Sequence, residues 1–550
     1  MKQLIILAIV LSTFTACNGV AGWFGENSDS TQVTSVDNVA VMPLRDRSIT
    51  AANAYSDLFL DSAAVEAFIN KENLNDTVAR SIRGFYHARN YQYAWFASDG
   101  FTEQGRGFWN LYSETKDSSE KKTGINSNRN LEHRLDMLLE KDTLSVAVSD
   151  SAIIQTELQL TQQFIHYAKN NLNTKTPFYY LIPTRKIDPL QLADSILNKQ
   201  KDSTQYAGNR AYTLLKQQLA VYYNAAKNGG WQPITAVDIK QLKKGTSSPT
   251  VTAIKKRLQL TKDYIATDTS SQFNDSLEAA IKTYQQRNGF QPSGIITDSL
   301  IQVMNVPAQD RIQQLLVNMN RMLWMPAQNE TNSIQVNIPS FMLYVYEGNN
   351  KVFDMPVVVG KEGSNTMMFS GYLNQVVFSP YWNIPQSIVK DEIMPAIKND
   401  PNYLKKRNME IVGKNDSLPE IRQLPGKDND LGKVKFLFPN SYDIYFHDTP
   451  AKEIFKSNNR AMSHGCIRLA DSEKMAQYLL RDQKDWTPEK IKQAMSSDKE
   501  QKVVVTKPTQ VLITYYTAWV DDAGQLHFRN DIYKHDKNTA NKMFINQQNI

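Results

Sequence analysis

The chain has 550 residues, 41% hydrophobic and 10% aromatic, which is ample for about three or four domains with real cores. With 62 Lys+Arg against 56 Asp+Glu the formal charge is only +6, and no basic tract accompanies it, so nucleic acid is not an expected partner. A mildly basic surface suits an anionic polymer, and no stretch after the N-terminus reaches the roughly 18 apolar residues of a membrane span.

Lys2 followed by the short apolar run Leu4 to Leu11 reads as an export signal, residues 1–17, and is too short for a comfortable spanning helix. It ends at Phe14-Thr15-Ala16-Cys17, which resembles a bacterial lipobox with Phe in place of the usual Leu. Lipid on Cys17 would anchor the protein to a bacterial membrane, the outer one, on its periplasmic side; cleavage without lipid is the alternative. Residues 18–50 are rich in Asn, Ser, Thr, Asp and Gly and cannot bury enough apolar surface to order themselves, which suits a tether.

Residues 51–240 are expected to be mainly helical, with 117–130 a polar loop. His87, His133 and His166 lie there among helix-forming residues and read as structural or exposed. A compact unit, 241–306, follows: Leu277, Ala280, Ile281 and Tyr284 fall at i, i+3, i+4 and i+7, Gly289 ends that helix, and Thr297 caps another.

The last large domain, 307–535, opens with a helix carrying Ile312, Leu315, Leu316, Met319 and Leu323. The period then becomes two at Ile334, Val336 and Ile338, and Gly348-Asn349 signals a hairpin. Further strand patterns at 376–378, 434–438, 444–446 and 512–520 argue for a β sandwich or barrel-like domain. Helices are expected at 388–398 and 403–407, inside an insertion of about 386–430. His527 and His535 lie in polar surroundings and are expected to be exposed, and residues 536–550 form a polar tail.

Only two cysteines occur, so beyond Cys17 the chain carries one thiol, Cys466, in Ser463-His464-Gly465-Cys466-Ile467-Arg468. His447 precedes it by nineteen residues at a strand end. A lone Cys with a distant His suggests a nucleophile and its base. Gly465 permits a tight turn that can aim backbone N–H groups at one point, as an oxyanion hole needs. His464 competes with His447 for the role of base. Ser463 can bond an imidazole or hold the turn, and Arg468 can grip a substrate carboxylate or serve a structural ion pair. A merely buried thiol, or zinc held by His447, His464 and Cys466, are the other readings, although no ligand-pair spacing supports the metal.

His447 and Ser463-His464-Gly465-Cys466 together resemble the signature of the YkuD-type L,D-transpeptidases, and Arg468 resembles the larger multidomain branch. Tyr91-Gln92-Tyr93-Ala94-Trp95-Phe96 resembles the start of that branch's scaffold domain, and the run from Ala279 to Phe290 resembles its three-helix peptidoglycan-binding module. The resemblance implies a multidomain α+β protein: a helical scaffold, a peptidoglycan-binding-like domain, and a mainly-β catalytic domain with a helical cap over the site. It implies 3→3 crosslinking of peptidoglycan stem peptides through a Cys466 thioester, with His447 as base, an acceptor amine, no cofactor, and carbapenem-type inhibitors as acylating agents. Ser379 to Pro385 looks like the segment before the cap, where Trp382, with Asn383 beside it, can stack on substrate or belong to the core. Carboxypeptidase or crosslink hydrolase chemistry at the same site, and a non-catalytic wall-binding protein, remain the alternatives.

Overall fold

A computed structural model describes residues 42–117, 128–139, 146–147, 150–171, 181–198, 209–235, 239, 242–326, 332–415 and 418–545. The expected signal, Cys17, most of the tether and residues 118–127 of the expected loop lie outside the described residues.

The first part is helical, as its pattern predicts. Helices Ser62–Lys71, Asp76–Ala88, Glu103–Asp117, Arg129–Leu139 and Ser151–Asn171 surround an aromatic core in which Trp95 stacks on Phe108 at 5.2 Å and meets Phe164 at 5.4 Å. Asp61 and Asn75 cap the first two helices by accepting backbone N–H bonds, the preferred chemistry for those positions. A two-residue hairpin, β1 (Phe96–Ala97) with β2 (Gly100–Phe101), closes the cluster. Trp324, at the end of helix Ala308–Met322, packs into the same core. A Cβ on Gly107 would come within 2.4 Å of Trp324, so glycine permits the close approach.

Helices Pro249–Leu260, Asp275–Arg287 and Asp298–Met304 form the compact unit with its own core of Val251, Ile254, Leu277, Ile281, Tyr284 and Leu300. Arg287 pairs within the unit with the buried Asp263 side chain at 2.5 Å and reaches out of it to donate to the Leu526 carbonyl at 3.4 Å.

The sheet of the last domain closes on itself. Its strands are β3 (Asn332–Asn337), β4 (Met342–Glu347), β5 (Asn350–Gly360), β6 (Phe369–Phe378), β10 (Val434–Leu437), β11 (Phe446–His447), β12 (Ala461–Ser463), β13 (Ile467–Leu469) and β14 (Gln501–Thr514). The order runs β12-β5-β13-β11-β10-β6-β14-β3-β4, and β4 returns to β5. The first half of β5 pairs β4 and its end pairs β13, so one long strand serves both sides of the seam. Three pairings are parallel: β14 with β3, β11 with β13, and β12 with β5. This is a mixed barrel rather than a sandwich. Ile334, Val336, Leu343, Val345, Val357, Val376, Val434, Phe436, Phe446 and Ile467 fill it, and helix Ser472–Leu480 packs on that core through Met475 and Leu480.

Three differences from the sequence pattern have physical causes. The apolar run 512–520 is not one strand: β14 ends at Thr514, and β15 (Ala518–Val520) turns away to pair with β16 (Leu526–Phe528). The cap contains strand as well as helix: β7 (Trp382–Asn383), β8 (Met409–Asn415) and β9 (Leu418–Gln423) form a small sheet over helical turns at 386–399 and 403–406. Its own core is Ile384, Ile388, Val389, Ile393, Met409 and Ile421. His527 and His535 are not exposed: His527 stacks on Trp519 at 5.0 Å and bonds Asp521, while His535 meets the rings of Tyr515 and Tyr533. Polar neighbours in sequence hide aromatic neighbours in space.

Candidate active site

Alternation along three adjacent strands builds the site. Val434, Phe436, Phe446, Ile467 and Leu469 point into the barrel, which leaves Lys435, Tyr445, His447, Cys466 and Arg468 on the other face. Lys435 is register partner of His447, and His447 of Arg468, so the three form one row across β10, β11 and β13. Tyr445 and Cys466 stand in the next row, where the Ile467 N–H donates to the Tyr445 carbonyl at 3.1 Å. His447 and Cys466 are therefore diagonal neighbours on one face. Among the described residues no hydrogen bond joins imidazole to thiol.

Cys466 is a half-buried free thiol whose Sγ donates to the Asp443 carbonyl at 3.6 Å. Asp443 has a φ of 52°, a left-handed turn that aims this carbonyl at the sulfur. Burial pushes the thiol pKa up, opposed by the Tyr445 backbone N–H and phenol and by the Arg468 charge. His447 is only 4% exposed, and its Nδ1–H donates to the Asp448 carbonyl at 2.6 Å, which fixes the tautomer. Burial first, and then the Arg468 charge, push its pKa down to about 3. At neutral pH the pair is thus a neutral imidazole beside a neutral thiol, a base able to accept the thiol proton once the two approach.

Ser463 holds the turn. Its Oγ donates to the Cys466 carbonyl at 2.6 Å and accepts the Gly465 N–H at 3.2 Å. That N–H is engaged within the turn, while the Cys466 N–H makes no hydrogen bond among the described residues. Gly465 has a φ of 117°, which a side chain would strain, and its carbonyl accepts the Thr366 hydroxyl at 2.7 Å. The Nε2 of His464 lies 2.7 Å from Glu392 of the cap. Arg468 is half-buried, and its Nε has no partner among the described residues. Trp382 and Asn383 lie on the cap strand β7, where Trp382 packs against the cap core. Among the described residues no group of three or more His, Cys, Asp or Glu is placed to hold a metal ion.

Four residues of this site escape motif reading: Tyr445, Lys435, Asp443 and Glu392. Lys435 left a signal, a charge inside the otherwise apolar strand Val434-Lys435-Phe436-Leu437-Phe438. Its Nζ donates to the Tyr381 carbonyl at 3.2 Å and lies 6.0 Å from the Tyr445 ring.

Residues 331–513 match the model of the YkuD L,D-transpeptidase catalytic domain, residues 80–219 a scaffold domain, and residues 247–304 a domain provisionally described as peptidoglycan-binding. A Haemophilus influenzae protein, provisionally named an L,D-transpeptidase, is 31% identical over 241 residues, which are 41% of this chain and 48% of that protein. The chain thus spans about half the length of the curated relative it matches. Among solved structures, an L,D-transpeptidase from Stackebrandtia nassauensis is 14% identical over 51% of this chain and 96% of that one, with a TM-score of 0.21. One from Mycobacterium smegmatis is 12% identical over 33% and 58%, with a TM-score of 0.19, and neither score supports an argument from shape. The chain thus carries, in order, segments that match a scaffold domain, a peptidoglycan-binding domain and the YkuD L,D-transpeptidase catalytic domain.

Proposed function

We propose that this protein is a peptidoglycan L,D-transpeptidase that forms 3→3 crosslinks through a thioester on Cys466. The observation that carries the reading is the placement of Cys466 and His447 on one face of adjacent strands inside the matched catalytic domain. His447 removes the thiol proton as the sulfur attacks the carbonyl after the third residue of a donor tetrapeptide. The Cys466 N–H and the Tyr445 phenol hold the oxyanion, a role that preorganised donors fill in acyl transfer. The C–N bond breaks, His447 returns the proton to the leaving amine, and a thioester remains. The side-chain amine of a second stem then attacks, giving its proton to His447, and the thiolate leaves and takes that proton back. Arg468, and Trp382 with Asn383 through the cap, stand on the substrate side.

Purified protein incubated with disaccharide-tetrapeptide should yield crosslinked dimers and free D-Ala, read by mass spectrometry. Cys466→Ser should give neither product, and a carbapenem should add its mass to wild type only. Release of D-Ala without dimers would assign a hydrolase instead. We also propose, from the signal pattern ending at Ala16-Cys17, that lipid on Cys17 holds the protein to the outer membrane in the periplasm. Fatty-acid label lost in Cys17→Ala supports this, and equal labelling overturns it.

A further inference from the structure

His447 stands between two cations, with Lys435 beside it on β10 and Arg468 beside it on β13. Neighbouring strands lie roughly 5 Å apart, so these two Cα atoms are roughly 10 Å apart, and both long side chains can meet a group lying over His447. Neither cation forms an ion pair among the described residues. The nearby carboxylates are committed elsewhere or only lie in range. Asp448 accepts from Lys452 Nζ at 2.6 Å and from the Lys433 N–H at 2.9 Å. Glu500 accepts the Tyr381 N–H at 3.0 Å and lies 3.5 Å from Lys502. Asp430 pairs with Arg407 at 2.7 Å, and Asp443 touches the site through its carbonyl. Lys435 is half-buried, with the Tyr381 carbonyl as acceptor, and a buried Arg468 nitrogen has none. Two under-satisfied cations withdrawn from water are costly unless an anion joins them.

We propose that Lys435 and Arg468 together bind the terminal carboxylate of the amino acid that leaves. This rests on the reading of Cys466 as the attacking group. Arg468 is two residues along the same strand from Cys466, a step of roughly 6.6 Å. A carboxylate one residue past the scissile carbonyl lies roughly 4 Å from it, inside that step. A peptide with a further residue would place an uncharged amide between the two cations. The seated carboxylate also offsets the positive field over His447, so the imidazolium formed when the thiol ionises is stabilised only with the correct donor in place. Burial pushes both cations' pKa values down, in keeping with sites that lack a counter-ion.

The test uses the thiol itself and needs no turnover. Iodoacetate carries a carboxylate and iodoacetamide does not. In the full-length protein, alkylation of Cys466 by iodoacetate should saturate with concentration, and N-acetyl-D-alanine should protect against it while N-acetyl-D-alaninamide does not. In Lys435→Gln the iodoacetate-to-iodoacetamide rate ratio should fall roughly tenfold, the scale of one lost charge-assisted hydrogen bond. Lys435→Arg should keep most of the ratio. An unchanged ratio in folded Lys435→Gln, or equal protection by acid and amide, overturns the proposal. Should Lys435→Gln fail to fold, the protection experiment on wild type decides. Selective protection in a protein that makes no crosslinks would leave the carboxylate pair standing and sink the transpeptidase reading; the reverse outcome would do the opposite.

Discussion

Arg321 and Arg468 are both guanidinium groups withdrawn from water, and the chain treats them in opposite ways. Arg321, on helix Ala308–Met322, gives its donors to Glu103 of the scaffold helix, to Asp536 at 2.9 Å and to the Tyr515 carbonyl at 2.7 Å. Burial pushes the Glu103 carboxyl up, but Arg321 more than offsets it and holds it below the usual carboxylate range. Three distant segments are thereby fixed at one point. Arg468 sits on the barrel face with a buried nitrogen that bonds nothing among the described residues. A charge enclosed by its own counter-ions is committed to structure. One left short of partners beside a thiol and a neutral imidazole is available to a ligand.

The largest effect that would sharpen this contrast comes from His447. His447→Gln should lower acylation of Cys466 by about 10²–10⁴-fold, the usual worth of a positioned acid–base group, in a protein that still folds. The same variant changes the acid limb of stability. The folded imidazole holds its proton only near pH 3, and the unfolded one from about 6.5. Between those values the unfolded chain binds the extra proton, so stability falls as pH falls through that window. His447→Gln should remove this share, making its melting midpoint less sensitive to acidification from pH 6.5 to 4 than that of wild type. Parallel acid limbs would show that the imidazole is not buried as described.

Arg321→Met comes next, on the structural side of the comparison. It leaves Glu103 and Asp536 enclosed without their counter-ion, a loss of about 3–5 kcal/mol. The melting midpoint should drop on the order of 10 °C, while the alkylation rate of Cys466 in the folded fraction stays as in wild type. A normal midpoint with slowed alkylation would make Arg321 part of the site and erase the distinction.

How much of this was legible follows from what each feature leaves in the chain. Period-two alternation at Ile334, Val336 and Ile338 announces the barrel, because one face of these strands is buried. Its closure does not show, since β5 changes partners midway without a change of pattern. Ser463 to Cys466 marks a turn because the Gly465 conformation demands glycine. Lys435 and Tyr445 join the candidate site only by register, and register between β10, β11 and β13 is a fact of space, not of sequence spacing. The strands of the cap pair across short segments such as Glu410 to Lys414, whose apolar residues Ile411 and Val412 are adjacent and exposed and so lack the alternation that would betray a strand.

The smallest expected effect concerns the cap. Glu392 lies in a π-helical turn, Val389–Ile393, and contacts His464 one residue from the Gly465 turn. The cap keeps a separate core around Val389, Ile393 and Ile421, so its folding does not depend on this contact. Both partners are more than a third exposed, at 38% and 51%, and such a pair contributes about 0.2–1 kcal/mol and weakens with salt. Glu392→Gln should therefore leave the melting midpoint unchanged and shift KM for the donor by about two- to fivefold, with kcat near wild type. Added salt should move wild-type KM in the same direction and do little to the variant. A collapse of kcat at constant KM would mean that the cap holds His464 for the chemical step, placing Glu392 with the committed charges rather than with a contact that substrate can displace.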